Sequence, residues 1–206
     1  MAYHYGWDIR MRQDELWDQL YSSQPRAWRG NARIPDPLEG KGDALDVGCG
    51  NGKTSSKLID LGYHTKGVDF SAKAVESCRE LLGENASFEV SSATDLPFPD
   101  GSFDYITAVH VLEHLTDEEL STAVSEFTRI LRPGGYVFTR TFTDGDLRSA
   151  KRSTGDIRYI YRDVETMVGF FDSFERVSAE LVEETTKFGA TRSRVECLFK
   201  KVLEKA

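Results

Sequence analysis

Two carboxylates flank a run of glycines in this sequence, and their spacing suits chemistry on a nucleoside. Ala44-Leu45-Asp46-Val47-Gly48-Cys49-Gly50-Asn51-Gly52 places Asp46 directly before a Gly-x-Gly-x-Gly turn, and Gly67-Val68-Asp69-Phe70-Ser71 places a second carboxylate at the end of the next strand-like run. Glycines allow positive φ and let a backbone approach a ligand closely. In an open α/β sheet the ligand lies beyond the carboxyl ends of the strands, where an acidic residue can accept from both hydroxyls of a ribose. The details argue against a diphosphate. A dinucleotide fingerprint wants a small residue at position 53, where Lys53 stands. Gly52-Lys53-Thr54 has the ending of a phosphate-cradling loop, but the first glycine of that motif would have to be Val47. Asp46 adds negative charge beside any phosphate there.

A second constellation is His110-Val111-Leu112-Glu113-His114. It spells the inverted zinc-protease motif His-x-x-Glu-His. Zinc would need both histidines on one helix face and a third protein ligand. His110 falls where a strand ends, so no metal is assigned. The sharper reading makes His110 a general base or an acceptor-positioning group. The plainer one gives it a hydrogen bond to backbone or water at the pocket mouth. His114 is expected to pack or cap near the following helix. Arg140, Thr141, Thr143 and Asp144 end a later strand, and Lys151, Arg152, Arg158, Tyr159 and Tyr161 follow it toward the same crevice. Five basic residues lie between Arg148 and Arg162. They would suit an anionic acceptor, or form a solvated loop.

These residues need a scaffold, and the hydrophobic rhythm supplies one. Strands are expected at 43–47, 63–69, 87–90, 103–109 and 136–142. The almost wholly apolar run Phe103–Val109 is the pattern of a strand buried on both faces of a parallel sheet. Helices are expected at 53–61, at 72–82 behind a Ser71 cap, at 116–131 behind a Thr116/Glu119 capping box, and at 163–171. Pro133-Gly134-Gly135 is expected to end the third of these. A short amphipathic helix over 14–21 takes Asp14 as N-cap. Runs 174–184 and 192–202, around Lys187-Phe188-Gly189-Ala190, form an antiparallel pair at a sheet edge. Strand–helix alternation gives a doubly wound, mostly parallel seven-stranded α/β sheet with an antiparallel edge strand.

The chain has 206 residues, 39% hydrophobic and 29% charged, which is enough for one compact core without disorder. A formal charge of −8 argues against a protein held on nucleic-acid backbone. Three widely spaced cysteines, Cys49, Cys78 and Cys197, offer neither a disulfide framework nor a thiolate zinc knuckle and fit a reducing cytosol. No apolar run approaches a membrane span, and Met1–Asp8 lacks a signal-peptide pattern. The expectation is a cytoplasmic globular protein, monomer or homodimer.

Leu45-Asp-Val-Gly-Cys-Gly-Asn-Gly, Gly67-Val-Asp-Phe-Ser, Leu96-Pro-Phe-Pro-Asp-Gly-Ser-Phe-Asp, Val109-His-Val-Leu-Glu-His-Leu and Leu131-Arg-Pro-Gly-Gly occur in that order. Together they resemble a class I S-adenosylmethionine-dependent methyltransferase with a Rossmann-like fold, of the group of ubiquinone and tocopherol methyltransferases. The resemblance runs from about Asp43 to Phe142. It implies an N-terminal lid over residues 1–42 and a cofactor-binding domain over 43–206. It also implies that Gly48, Cys49, Gly50 and Asn51 wrap the methionine part of the cofactor. Asp46 would stand near its ammonium, Asp69 would hold the ribose, and Phe70 would lie against adenine. Members often carry an aspartate for the adenine amino group where this chain has Ser92, so Ala93 and Thr94 backbone would share that task, with Asp95 nearby. His110 would face the sulfonium and the acceptor. Trp28 and Arg29 would close over the cofactor, or form a surface turn. Tyr3, Tyr5 and Trp7 would cover an acceptor or staple the terminus.

The implied activity is methyl transfer to a small-molecule acceptor, with S-adenosylhomocysteine as product. RNA or protein methylation is the alternative within the class. A noncatalytic cofactor-binding module and, more remotely, a dehydrogenase are the alternatives outside it.

Overall fold

A computed structural model describes residues 12–24, 32–40, 42–147, 149 and 156–203. The order is α1 (Gln13–Ser23), β1 (Asp43–Val47), α2 (Lys53–Asp60), β2 (His64–Asp69), α3 (Ala72–Leu82), β3 (Ala86–Val90), β4 (Phe103–Val109), α4 (Asp117–Ile130), β5 (Leu131–Phe142), α5 (Val164–Phe170), β6 (Phe174–Thr185) and β7 (Thr191–Lys201). The seven strands form one sheet in the order β3-β2-β1-β4-β5-β7-β6. The first five run parallel. β7 inserts between β5 and β6, antiparallel to both. The expected antiparallel pair therefore stands at one side of a doubly wound sheet. Strand order reverses between β1 and β4, the place where such sheets bind ligands.

The central strands are inward on both faces, as their composition requires. Ile106 and Ala108 of β4 join the core made with α4 and α5, while Tyr105 packs on the other side with Ala44, Leu58 and Phe138. α4 buries Leu120, Ala123, Val124, Phe127 and Ile130, an apolar stripe at helical spacing. Each large side chain of that stripe contributes roughly 1.5–3 kcal/mol on burial. The helix starts at the expected capping box. Thr116 Oγ1 accepts from Glu119 N at 3.2 Å and Glu119 Oε2 accepts from Thr116 N at 2.7 Å. α3 likewise begins at Ser71, whose hydroxyl accepts from Ala74 N.

Two local expectations need correction. α1 starts one residue before Asp14, with Arg12 at its N-cap, and Asp14 sits in the first turn. A carboxylate there favours the helix dipole without capping an N–H. Pro133-Gly134-Gly135 does not separate α4 from the next strand. β5 begins at Leu131, paired with Phe103, and the register shifts before Tyr136 meets Tyr105. Gly134, at φ +81°, takes up the irregularity inside the strand.

Candidate active site

The glycine turn closes between β1 and α2 with Gly48, Gly50 and Gly52 at φ +69°, +53° and +77°. The N–H groups of Gly48 and Cys49 both donate to Val68 O, at 2.7 and 2.9 Å, and tie the turn to the end of β2. A Cβ on Gly48 would stand 2.1 Å from Val111 Cγ2, and one on Gly50 would stand 2.6 Å from the Tyr21 hydroxyl. Glycine is required there by space as well as by φ. The Cys49 side chain turns away, into a small core with Val75, Cys78 and Phe88, its sulfur 3.7 Å from that of Cys78. The contact with Cys78, and burial, push the Cys49 thiol well above its ordinary range, so it is an inert packing group and only its backbone faces the turn.

Asp46 is fully buried. Its carboxylate accepts from Ser55 Oγ at 2.6 Å and Thr107 Oγ1 at 3.0 Å. Burial outweighs those bonds and lifts its pKa to about 7. Asp69, at the end of β2, accepts from Gly50 N and Ser71 N, both at 2.9 Å, and burial lifts it to about 6. The two acids thus sit on neighbouring strand ends around the glycine turn, both poised to gain from an incoming cation. Phe70 beside Asp69 is 37% exposed, more than is usual for a large aromatic residue.

Ser92 and Thr94 form a tight turn after β3. Their hydroxyls lie 2.8 Å apart, and Ser92 Oγ accepts from Thr94 N at 3.2 Å. Ser91 N donates to Asp69 O at 3.0 Å and holds this turn beside the β2 end. Ala93 packs into the main core, and Asp95 is exposed. Asn51 follows Gly50 in the glycine turn.

On the other side of the switch point, β4 is followed by His110 at φ +61°, a costly conformation for a non-glycine residue. Its N–H donates to Arg140 O at 2.7 Å, and its ring stacks on Phe142 at 3.7 Å with 14° between planes. Nδ1 lies 3.2 Å from Oε1 of Glu113. His114 points elsewhere, with Nδ1 2.7 Å from Arg158 O and its ring edge-on to Trp17 and Tyr159. A single 3₁₀ turn, Leu112–His114, separates them, so the histidines do not share a helix face. Among the described residues no group of three or more His, Cys, Asp or Glu is placed to hold a metal.

α1 roofs the crevice. Asp18 Oδ1 accepts from the Ser71 hydroxyl after β2 and from Lys73 N, while Trp17 meets His114 after β4. Trp17, Asp18, Tyr21, Glu113 and Phe142 were not singled out as site residues in the sequence. Only Glu113 had a signal, as part of the motif read for zinc. Arg158 and Arg162, expected on the rim, are engaged elsewhere. Arg158 donates to His114 O and Glu119, and Arg162 donates to Leu112 O, Leu115 O and Asp117. They brace the corner between β4 and α4. Trp28, Arg29, Tyr3, Tyr5, Trp7, Arg148, Lys151 and Arg152 lie outside the described residues. A hollow of about 650 Å³ lined by Asp43, His64, Lys66 and Arg132 is at the amino ends of the strands, away from this site.

Residues 45–139 match the family described as "Methyltransferase domain". The chain is 34% identical over 131 residues to ajmaline N-methyltransferase of Rauvolfia serpentina, covering 59% of this chain and 44% of that protein. It is 37% identical over 109 residues to ubiquinone biosynthesis O-methyltransferase of Thiobacillus denitrificans, covering 51% and 46%. Among solved structures, a SAM-dependent methyltransferase of Methanosarcina mazei superposes with a TM-score of 0.69 at 24% identity, covering 84% of this chain and 100% of that one. The chain spans about half the length or less of the curated relatives it matches. Its residues 45–139 thus match a methyltransferase domain, and over part of their length the chain is similar to ubiquinone and tocopherol methyltransferases. S-adenosylmethionine is the cofactor of that family. The residues present fit it: a glycine turn at positive φ that lets backbone approach a ligand, two buried acids for a cationic amino acid and a ribose, and a partly exposed aromatic for a base.

Proposed function

We propose that this chain transfers a methyl group from S-adenosylmethionine to a small-molecule acceptor. The observation that carries this reading is the Gly50 N–H donating to Asp69, which brings the glycine turn and the β2 carboxylate into one grip. Asp69 keeps lone pairs for ribose hydroxyls, since two accepted N–H bonds use about half of a carboxylate's capacity. Phe70 stacks on adenine, and Ser92, Ala93 and Thr94 meet its amino edge. Gly48, Cys49, Gly50 and Asn51 line the methionine part by backbone, and Asp46 answers its ammonium through charge.

The cofactor supplies a methyl group on a sulfonium, whose departing thioether needs no proton. The protein's work is to hold an acceptor atom in line with that carbon, at about 3–3.5 Å, in a place closed to water. Trp17 and Asp18 of α1 provide the closure, with the N-terminal segment as lid. His110 takes a proton from an acceptor that must lose one. A small acceptor suits the kinds of molecule named for the relatives, and Arg158 and Arg162 lend no support to an anionic one. No described helix is long and apolar enough to cross a membrane. A cytoplasmic location, supported by three free cysteines, belongs to the same reading.

Titration calorimetry with S-adenosylmethionine and S-adenosylhomocysteine, then an acceptor screen with labelled methyl donor, tests the proposal. Binding followed by label transfer is expected. Failure to bind either nucleoside would end it.

A further inference from the structure

Glu113 is the one acid at this site whose burial has no structural explanation. Its side chain is fully buried between β4 and α4, and Oε2 has no hydrogen-bond partner among the described residues. Asp46 and Asp69, equally buried, are satisfied on both oxygens. The side-chain partner of Glu113 is His110, at 3.2 Å. His110 in turn is held on three sides: its φ is +61°, its N–H is bonded to Arg140 O, and its ring lies flat on Phe142. Strained backbone that the surroundings over-determine marks places where one geometry matters.

We propose that Glu113 is a positioning residue for the proton transfer, accepting a hydrogen bond from Nδ1–H of His110 so that Nε2 is the atom that exchanges a proton with the acceptor. This rests on the reading of His110 as the base. The tautomer follows from the donor inventory. An ionised carboxylate only accepts, so the ring nitrogen facing it must carry hydrogen. Burial opposes ionisation of Glu113, but the His110 hydrogen bond and the charges of His110 and His114 outweigh it and hold the carboxyl below its usual range. Among the described residues, the three arginines next to the pair are engaged elsewhere. The Arg140 guanidinium bonds Glu196 and Arg33 O, Arg158 bonds Glu119, and Arg162 bonds Asp117. Glu113 is therefore the carboxylate in position to raise the basicity of His110 and to stabilise the imidazolium formed in the reaction.

The test needs no acceptor. Long-range ¹H–¹⁵N spectra of the full chain report the tautomer and titration of His110, assigned by its loss in His110→Ala. The Nδ1–H form is expected at high pH in the unmodified protein. In Glu113→Gln, close in shape, the His110 pKa should fall by about one unit or more. With an acceptor in hand, the acid limb of the kcat/KM profile should move the same way while cofactor affinity holds. An Nε2–H tautomer, or an unchanged titration in folded Glu113→Gln, overturns the proposal; should that variant not fold, the tautomer of the unmodified protein decides. Full turnover by His110→Ala, with the spectra as expected, would instead overturn the base reading beneath it.

Discussion

Asp69 Oδ2 accepts from Gly50 N at 2.9 Å while Oδ1 accepts from Ser71 N at the same distance, so one carboxylate joins the glycine turn of β1 to the start of α3. Asp69→Ala removes this junction and the proposed acceptor for the ribose together. Cofactor binding should weaken by roughly 1.5–3 kcal/mol, the range for hydrogen bonds to a charged group. Calorimetry on the folded variant checks it, and unchanged affinity would reject the ribose assignment.

Cofactor affinity should depend on pH with a definite sign. In the ligand-free protein burial holds Asp46 near 7 and Asp69 near 6, well above the ordinary 3.8. A cationic amino acid and a ribose both favour the ionised forms. Affinity should therefore rise from pH 5 to pH 8, with protons released on binding below pH 7. Calorimetry in buffers of different ionisation enthalpy counts them. A proton uptake would contradict the placement of Asp46.

The same two acids set the stability of the ligand-free chain. Between about pH 4 and 7 the folded state holds their protons more tightly than the unfolded state. Unfolding then releases protons, and stability falls as pH rises through that window. The contribution is largest below the unfolded value and is lost by the folded one. Thermal melts of Asp46→Asn should show a flatter dependence over the window than the unmodified chain.

Gly48→Ala should cost more than a conformational penalty. The new Cβ would lie 2.1 Å from Val111 Cγ2 at a φ of +69°. A loss of about 2–3 kcal/mol is expected, from strain and overpacking together. Adding Val111→Ala should recover part of it, the steric part, in urea denaturation. No recovery would mean that the turn shifts as a whole.

His110→Ala should slow turnover by about 10²-fold or more for an acceptor that must lose a proton, the usual span for a general base. Cofactor affinity should be spared, because the role proposed for the imidazole is in the proton transfer and not in holding the nucleoside. Single-turnover kinetics beside calorimetry separates the two.

Much of this architecture was legible because local signals agreed with the global pattern. Ser71 marked the start of α3 to the residue and the Thr116/Glu119 box that of α4 to within one, and Phe103–Val109 announced a central strand by its almost wholly apolar run. The glycine turn and Asp69 were legible for the same reason, since positive φ and a strand-end acid leave few alternatives. Long-range pairing was not legible. Nothing local in Arg158 or Arg162 tells that each folds back onto the β4–α4 corner, more than forty positions away along the chain. Nor does Trp17 advertise a histidine partner that only the sheet brings near it. Glu113 was visible as a letter in a motif, and its burial was not, because hydropathy assigns a charged residue to the surface by default.

The helix laid across the crevice has a kinetic consequence. α1 touches the far shore through Asp18 and the near one through Trp17, so it spans the entrance like a latch with one polar and one aromatic catch. On the proposed function, loading and unloading the nucleoside past α1 would require both catches to let go. The rhythm of turnover would be set at that threshold, by how often the latch lifts, rather than by the displacement beneath it.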